Sequence, residues 1–308
     1  MSEAKTDKFH RKTIILENGD LKFSAYHYNS ENKNAPLVFC LHGFPDNWNT
    51  FKYQIDDLIE AGYQIIIPQM RGYQPSSIPE NLDFKIDAIV SDVVSWIDQL
   101  GATNVHIVGH DWGCIITYVV ADAIPEKINS ITTIAVPHTG RFLTKGLIKV
   151  PIQILKSWYI LMNLIPGLSE YLFKRNDWAL LKNLWKLWSP GFTPSDEEWN
   201  DLKSTFDQPG VFNAMLQYYR QNTAIVDILG IRKSKYRLLK EVNVPNLAIT
   251  GENDGCIDSR TFDYCILEED YPKGYKLARI KNAGHFTHLE APEEVNKLIV
   301  DWLKSNDS

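Results

Sequence analysis

The segment Gly109-His110-Asp111-Trp112-Gly113 carries the strongest chemical signal in the chain. It follows the apolar run Val105 to Val108 and opens an apolar stretch, Gly113 to Ala123, that stops before Pro125. A strand, a sharp turn and a helix in that order make a nucleophile elbow, which lifts one side chain clear of the sheet. The turn strains its central residue, and a glycine on either side supplies room. Here the central residue is Asp111, where a serine is usual. An aspartate, with an ordinary pKa of about 3.9, is an anion at neutral pH and attacks without help from a base. It can displace a leaving group from saturated carbon and become an alkyl ester of itself, which a base and a water must then hydrolyse. The predicted chemistry is substitution at carbon, in place of the acyl transfer a serine would give.

That second step needs a base. Gly284-His285 follows the last strand-like run, so His285 is the candidate base; His288 is its nearby rival. The acid that orients it should lie after the preceding strand, in Gly251-Glu252-Asn253-Asp254. Asp254 is the preferred acid and Asp258 the alternative. The order nucleophile, acid, histidine is the one expected of this arrangement, and a carboxylate there would fix the imidazole tautomer and stabilise the imidazolium. An oxyanion hole is the remaining part. His42-Gly43-Phe44-Pro45 ends the first long apolar run, and the N–H groups of Phe44 and Trp112 are its expected donors. Pro45 has no N–H to give. Such donors are worth about 3–4 kcal/mol each in acyl transfer. His42 and His110 flank the site and are read mainly as shaping its loops, while His106 and His138 read as structural.

The elements around these residues alternate. Pro36 to Leu41, Gln64 to Ile67, Val105 to Val108, Ile128 to Val136, Leu247 to Thr250 and Tyr275 to Ile280 read as strands. Ile86 to Leu100, Gly113 to Ala123 and Pro292 to Leu303 read as helices. Continuous apolar strands alternating with helices predict a parallel sheet covered on both faces. From 139 to 240 this alternation stops. Five of the nine tryptophans (Trp158, Trp178, Trp185, Trp188 and Trp199) fall there, among helical segments broken at Pro151, Pro166-Gly167 and Pro190-Gly191. The expected organisation is an α/β core in two parts, 1–138 and 241–308, with a helical lid over 139–240. The lid tryptophans read as core and pocket wall, and Ser195-Asp-Glu-Glu198 as a helix N-terminus.

Composition narrows the function classes. The 308 residues are 44% hydrophobic and 23% charged, so the chain is an ordinary globular one. It carries 32 Lys and Arg against 38 Asp and Glu, a net charge of −6, which argues against a partner held by phosphate neutralisation. The four cysteines, Cys40, Cys114, Cys256 and Cys265, show neither CxxC nor zinc-finger spacing, and most read as small core residues in apolar runs, as expected of a reduced, cytoplasmic protein. Met1 to Lys12 lacks the apolar region of a signal peptide. Leu147 to Leu168, broken by Lys149, Gln153, Lys156 and Asn163, is not expected to span a membrane, although its apolar face could touch one.

Taken together, these motifs resemble the epoxide hydrolases of the α/β-hydrolase fold over nearly the whole chain. His42-Gly-Phe-Pro45 resembles that family's HGxP motif, and Gly109 to Gly113 resembles its elbow. Arg71-Gly-Tyr-Gln-Pro-Ser76 is similar to its RGYGxS segment, with Gln74 in place of glycine; Pro68-Gln69 replaces a more usual acidic residue nearby. The resemblance implies two lid tyrosines that hold the epoxide oxygen. Tyr159, seven residues before Pro166-Gly167, and Tyr219, within Tyr218-Tyr219-Arg220, occupy the matching positions. A phenol, with an ordinary pKa of about 10, can donate its proton there. The implied partners are an epoxide and water, with Trp112, His42 and Pro45 against the substrate. No metal or organic cofactor and no nucleic acid is implied, and a homo-oligomer is left open. The rival enzyme is a haloalkane dehalogenase, which shares the nucleophile and base but wants N–H donors for a halide; Trp112 fits that family's first donor, Phe44 stands where its asparagine would be, and the five lid tryptophans leave a lid indole open as the second. A non-catalytic ligand-binding relative is the rival of a different class, although all three members of the triad are present.

Overall fold

The structure of the chain, a computed structural model, describes residues 11–223 and 239–307. Most of the stretch Met1 to Lys12, and residues 224–238 of the segment assigned to the lid, therefore lie outside the described residues. The strands are β1 (Arg11–Asn18), β2 (Leu21–Tyr28), β3 (Leu37–Leu41), β4 (Gln64–Pro68), β5 (Val105–His110), β6 (Ile128–Ile134), β7 (Asn246–Gly251) and β8 (Tyr275–Ile280). They pair into an eight-stranded sheet in the order β1-β2-β4-β3-β5-β6-β7-β8. Strands β1 and β2 are antiparallel to each other, and β2 is antiparallel to β4. From β4 to β8 every pairing is parallel. The fold is thus the expected α/β-hydrolase sheet, extended at one edge by an antiparallel hairpin.

Each parallel strand in the middle is buried along its whole length, as in β3, β5 and β7. Alternate side chains feed two cores. Phe39 and Leu41 join one, and Val38 and Cys40 join the other. This is the period of two that a covered sheet demands. Helix α1 (Ile55–Glu60) and the C-terminal helix Pro292–Ser305 cover the second face, contributing Ile55, Val295, Ile299 and Leu303. Helices α2 (Ile86–Gln99) and α3 (Trp112–Ala123) cover the first. On α2 the buried stripe is Ile86, Ile89, Val90, Val93, Trp96 and Ile97, and Trp96 meets Phe23 of β2 edge-on at 4.9 Å.

Between β6 and β7 the described residues are helical. The principal helices are Ile152–Lys156, Trp158–Asn163, Leu168–Trp188, Asp196–Phe206 and Val211–Asn222. Helices begin just after Pro151 and Gly167, and one ends just before Pro190; a further break, without a proline, interrupts Leu168–Trp188 at Arg175 to Trp178, where Asn176, Asp177 and Trp178 have positive φ. Ser195 caps Asp196–Phe206 by accepting from the Glu198 N–H, while the Glu198 carboxylate reaches back to the Ser195 N–H. A cap of this kind is worth about 1 kcal/mol. Trp178, Trp185, Trp188 and Trp199 are buried, and Trp158 is exposed.

Candidate active site

The ends of β3, β5, β7 and β8 converge, and each delivers one loop of the site. In open α/β sheets ligands bind at the carboxyl ends of the strands. Strand β5 ends at His110, and Asp111 follows with φ 52° and ψ −117°, a left-handed conformation costly for a residue with a side chain. Strain of this type amounts to about 1–3 kcal/mol and must be held by the surroundings. Gly113 is part of that hold. A Cβ there would lie 1.9 Å from the Leu41 carbonyl oxygen, so only glycine lets α3 start against the end of β3. Across the gap, Gly43 lies so close that a Cβ would sit 2.5 Å from Asp111 Oδ1.

The two oxygens of Asp111 have different neighbours. Oδ1 accepts the Phe44 N–H at 2.7 Å. Oδ2 lies 3.5 Å from His285 Nε2. Trp112 is the first residue of α3, so its N–H has no partner within the helix; that amide nitrogen, like Oδ1, lies against Gly43. The opposite nitrogen of His285, Nδ1, is 3.0 Å from Asp254 Oδ2. Asp254 Oδ1 accepts the N–H groups of Cys256 and Ile257 at 2.7 and 2.8 Å, which fixes the carboxylate plane. Asp258, the alternative acid, is engaged elsewhere, with Arg260 at 2.8 Å and Lys156 at 3.1 Å. Asp111, His285 and Asp254 are all buried.

The buried histidines around this centre divide sharply. Burial opposes a charge on His285, yet the carboxylates of Asp254 and Asp111 at its two nitrogens outweigh that and raise its pKa to about 10. His42 and His110 lack such a pair, and burial lowers each to about 3. His288 is also pushed well down by burial. His285 is therefore an imidazolium at neutral pH, while its neighbours are neutral. His110 donates from Nε2 to the His285 carbonyl oxygen at 3.0 Å and so fixes the loop.

A cavity of about 380 Å³ opens over Asp111. Tyr159, Tyr219, Trp112 and Asp111 line it, and the remaining wall is largely aliphatic, with Ile115, Val119, Val136, Leu143 and Ile257. The rings of Tyr159 and Tyr219 meet edge to face at 5.8 Å. Burial pushes both phenols well above the usual range, so both keep their protons. The Tyr219 hydroxyl has no well-formed hydrogen bond among the described residues. The neighbouring Tyr218 points the other way, donating to the Arg71 carbonyl oxygen at 2.9 Å.

Two expected substrate contacts fall behind the cavity wall. His42 and Pro45 do not line it. His42 accepts the Met70 N–H at 3.1 Å through Nε2, and the Pro45 carbonyl oxygen accepts the Trp185 indole N–H at 3.1 Å. Both groups shape the loop that presents Phe44. Of the lid tryptophans, Trp178, Trp185, Trp188 and Trp199 pack as core and Trp158 is exposed; none lines the cavity, so the expected role as pocket wall does not hold. Other residues of the site carry no signal in the sequence. Cys256 Sγ lies 3.3 Å from the Tyr159 hydroxyl. Gln153, buried on helix Ile152–Lys156, donates to the Cys256 carbonyl at 2.8 Å and accepts the Asp258 N–H at 2.7 Å. It ties that helix to the loop holding Asp254. Arg71 forms a two-pronged ion pair with Asp92, at 2.7 and 2.6 Å, which anchors the 71–76 loop below the site.

One further cluster is sealed behind the site. Asp46, His110 and His288 each place a ligand-type atom within 4.8 Å of the others. Burial pushes Asp46 up to about 7 and keeps both imidazoles neutral, so the cluster could hold a cation only by ionising Asp46 against that burial. The reaction considered below uses no ion there.

Comparison with known proteins gives a consistent result. The alpha/beta hydrolase fold family matches residues 36–171. The chain is 31% identical over 274 residues to AB hydrolase superfamily protein YfhM of Bacillus subtilis, covering 89% of this chain and 92% of that protein. It is 29% identical over 298 residues to human epoxide hydrolase 4, covering 94% of this chain and 78% of that protein. Among solved structures, epoxide hydrolase VrEH1 from Vigna radiata superimposes with a TM-score of 0.80 at 25% identity, covering 98% of this chain and 99% of that one.

Proposed function

Because this chain belongs to the α/β-hydrolase family and, within it, to the epoxide hydrolases, we propose that it converts an epoxide to a vicinal diol in two chemical steps. Asp111 Oδ2 attacks a ring carbon, the carbon–oxygen bond breaks, and the ring oxygen takes a proton from Tyr159 or Tyr219. The product is an alcohol joined to Asp111 as an ester. The position of Oδ2 supports this role, since Oδ1 is tied to Phe44 and Oδ2 faces His285.

The charge balance explains how one histidine can be both partner and base. Before reaction His285 is held protonated by two carboxylates. Alkylation removes the charge of Asp111. The His285 imidazolium then gives up its proton, which returns to the phenol that protonated the ring oxygen, and His285 becomes neutral. It next takes a proton from water, whose oxygen attacks the ester carbonyl carbon. The N–H groups of Phe44 and Trp112 hold the tetrahedral anion, and Asp254 keeps the imidazole in the needed tautomer. Collapse expels the diol with the original Oδ2 and leaves the water oxygen on Asp111.

The observation that carries the reading is two protonated phenols sharing one cavity with the aspartate. An alkoxide needs acids; a halide leaves as a stable anion and needs N–H donors only. The lid tryptophans, which could supply a second indole donor for a halide, do not line the cavity. The helices between β6 and β7 serve in this reading as the lid, spanning 139–240, between core segments 1–138 and 241–308. A reduced, cytoplasmic setting accords with four free and buried cysteines. The test is a substrate panel of styrene oxide, a fatty-acid epoxide, a bromoalkane and a p-nitrophenyl ester. Diol from an epoxide is expected; bromide release without diol would reassign the chain to dehalogenation.

A further inference from the structure

We propose that the surface around residues 145–168 docks on an anionic lipid bilayer and that lipophilic epoxides enter the cavity from it. Two features of the surface support this. Of the fourteen large hydrophobic side chains that are exposed among the described residues, nine lie between 148 and 171. They include Ile148 at 73%, Leu155 at 68% and Ile154 at 61% exposure, together with Leu161 and Trp158. Scattered single exposures are ordinary, but a contiguous apolar face marks an interaction site.

The segment that carries most of this face has a charge of the sign opposite to that of the whole chain. Residues 139–169 contain Arg141, Lys145, Lys149 and Lys156 and no Asp or Glu, in a chain of net charge −6. Arg141 is engaged with Asp270 and Glu269, and Lys156 with Asp258. Lys145, 3.9 Å from Glu269, and Lys149 are exposed beside Ile148. An exposed apolar strip edged by lysines and carrying a tryptophan is the composition of a segment that lies in the headgroup region.

Continuity with the cavity gives the docking a purpose. Ile154 and Leu161 are exposed on the outside and also line the cavity over Asp111. These two residues therefore join the apolar face to the wall of the cavity, which is largely apolar. No helix among the described residues is long and apolar enough to cross a membrane, so the contact is peripheral. The docking stands on this surface alone; the entry of epoxides rests on the function proposed above.

Flotation of the purified full chain with vesicles tests it, using phosphatidylcholine alone and phosphatidylcholine mixed with phosphatidylserine. The wild type is expected to float with the mixed vesicles and more weakly with the neutral ones. The double variant Ile148→Glu/Leu155→Glu should lower partition by about tenfold or more. Lys145→Glu/Lys149→Glu should lower it by roughly fivefold per lysine. None of these four residues lines the cavity, so hydrolysis of dispersed styrene oxide should be unchanged in both variants. A wild type that floats with neither vesicle would overturn the proposal. So would a wild-type dimer in solution that Ile148→Glu/Leu155→Glu dissociates, since a second copy would then cover the face. Flotation as expected without turnover of either styrene oxide or a fatty-acid epoxide would leave the docking standing and remove the epoxide reading.

Discussion

The imidazole of His285 stands 3.5 Å from Asp111 Oδ2, the oxygen opposite the one tied to the Phe44 N–H. One oxygen of the nucleophile is thus stationed in the anion-binding loop and the other is aimed at the base. This split makes the two proposed steps separable. In the proposed mechanism the oxygen that attacks is Oδ2, and the carbonyl that water later attacks already points at its donor, the Phe44 N–H.

Replacing the base should expose the intermediate. In His285→Gln the ring opens but the ester is not hydrolysed at a useful rate. Intact-mass measurement after exposure to an epoxide is expected to show the protein heavier by one substrate. An unmodified mass would mean that no ester forms on the enzyme.

In the proposed mechanism the phenols act in the earlier step. Tyr159→Phe or Tyr219→Phe should each slow ring opening by about 10²–10⁴-fold, the usual range for loss of a positioned acid. Unlike His285→Gln, neither variant should accumulate ester in single-turnover experiments. Accumulated ester in either one would place that tyrosine after ring opening.

Stability should carry the signature of the charged histidine. Its ordinary pKa is about 6.5 and its folded value about 10, so the folded state binds the extra proton between these limits. The stabilisation is complete below about pH 6.5 and is lost as pH rises through about 10. In thermal melts, the advantage of wild type over His285→Gln should shrink from about pH 6 to about pH 10. An advantage that grows with pH would contradict the assignment of an imidazolium.

The 71–76 loop supplies a prediction about folding. Arg71→Ala leaves the buried Asp92 without its two-pronged partner. Breaking a buried pair in this way costs about 3–5 kcal/mol. Chemical denaturation should show a loss of that order. A change below about 1 kcal/mol would mean that Asp92 finds other partners.

Much of this architecture could be read from the sequence, because it depends on local rules. The elbow at Asp111 is legible since a strand, two glycines and a helix leave the chain few other conformations. Parallel strands such as Leu37–Leu41 are legible because burial on both faces makes them continuously apolar. The hairpin of β1 and β2 was not anticipated. Its outer strand is mostly exposed and shows no apolar run, although Asn18-Gly19, with Gly19 at φ 58°, was an available turn signal. Asp254 and Asp258 share one loop, and spacing alone leaves both open. The structure separates them through the amides of Cys256 and Ile257 and through Lys156 and Arg260, none of which spacing reveals. The roles of Gln153 and Cys256 depend on how a distant helix lands on that loop, which is decided by packing.

The origin of the diol oxygens tests the central claim most directly. With enzyme in excess over epoxide in heavy-oxygen water, a single turnover should place the label in the Asp111 carboxyl group and leave the first diol unlabelled. Peptide mass spectrometry across residues 105–123 reads the first, and mass spectrometry of the diol reads the second. Label confined to the diol, with an unlabelled Asp111, would show water attacking the ring directly and would contradict the covalent route.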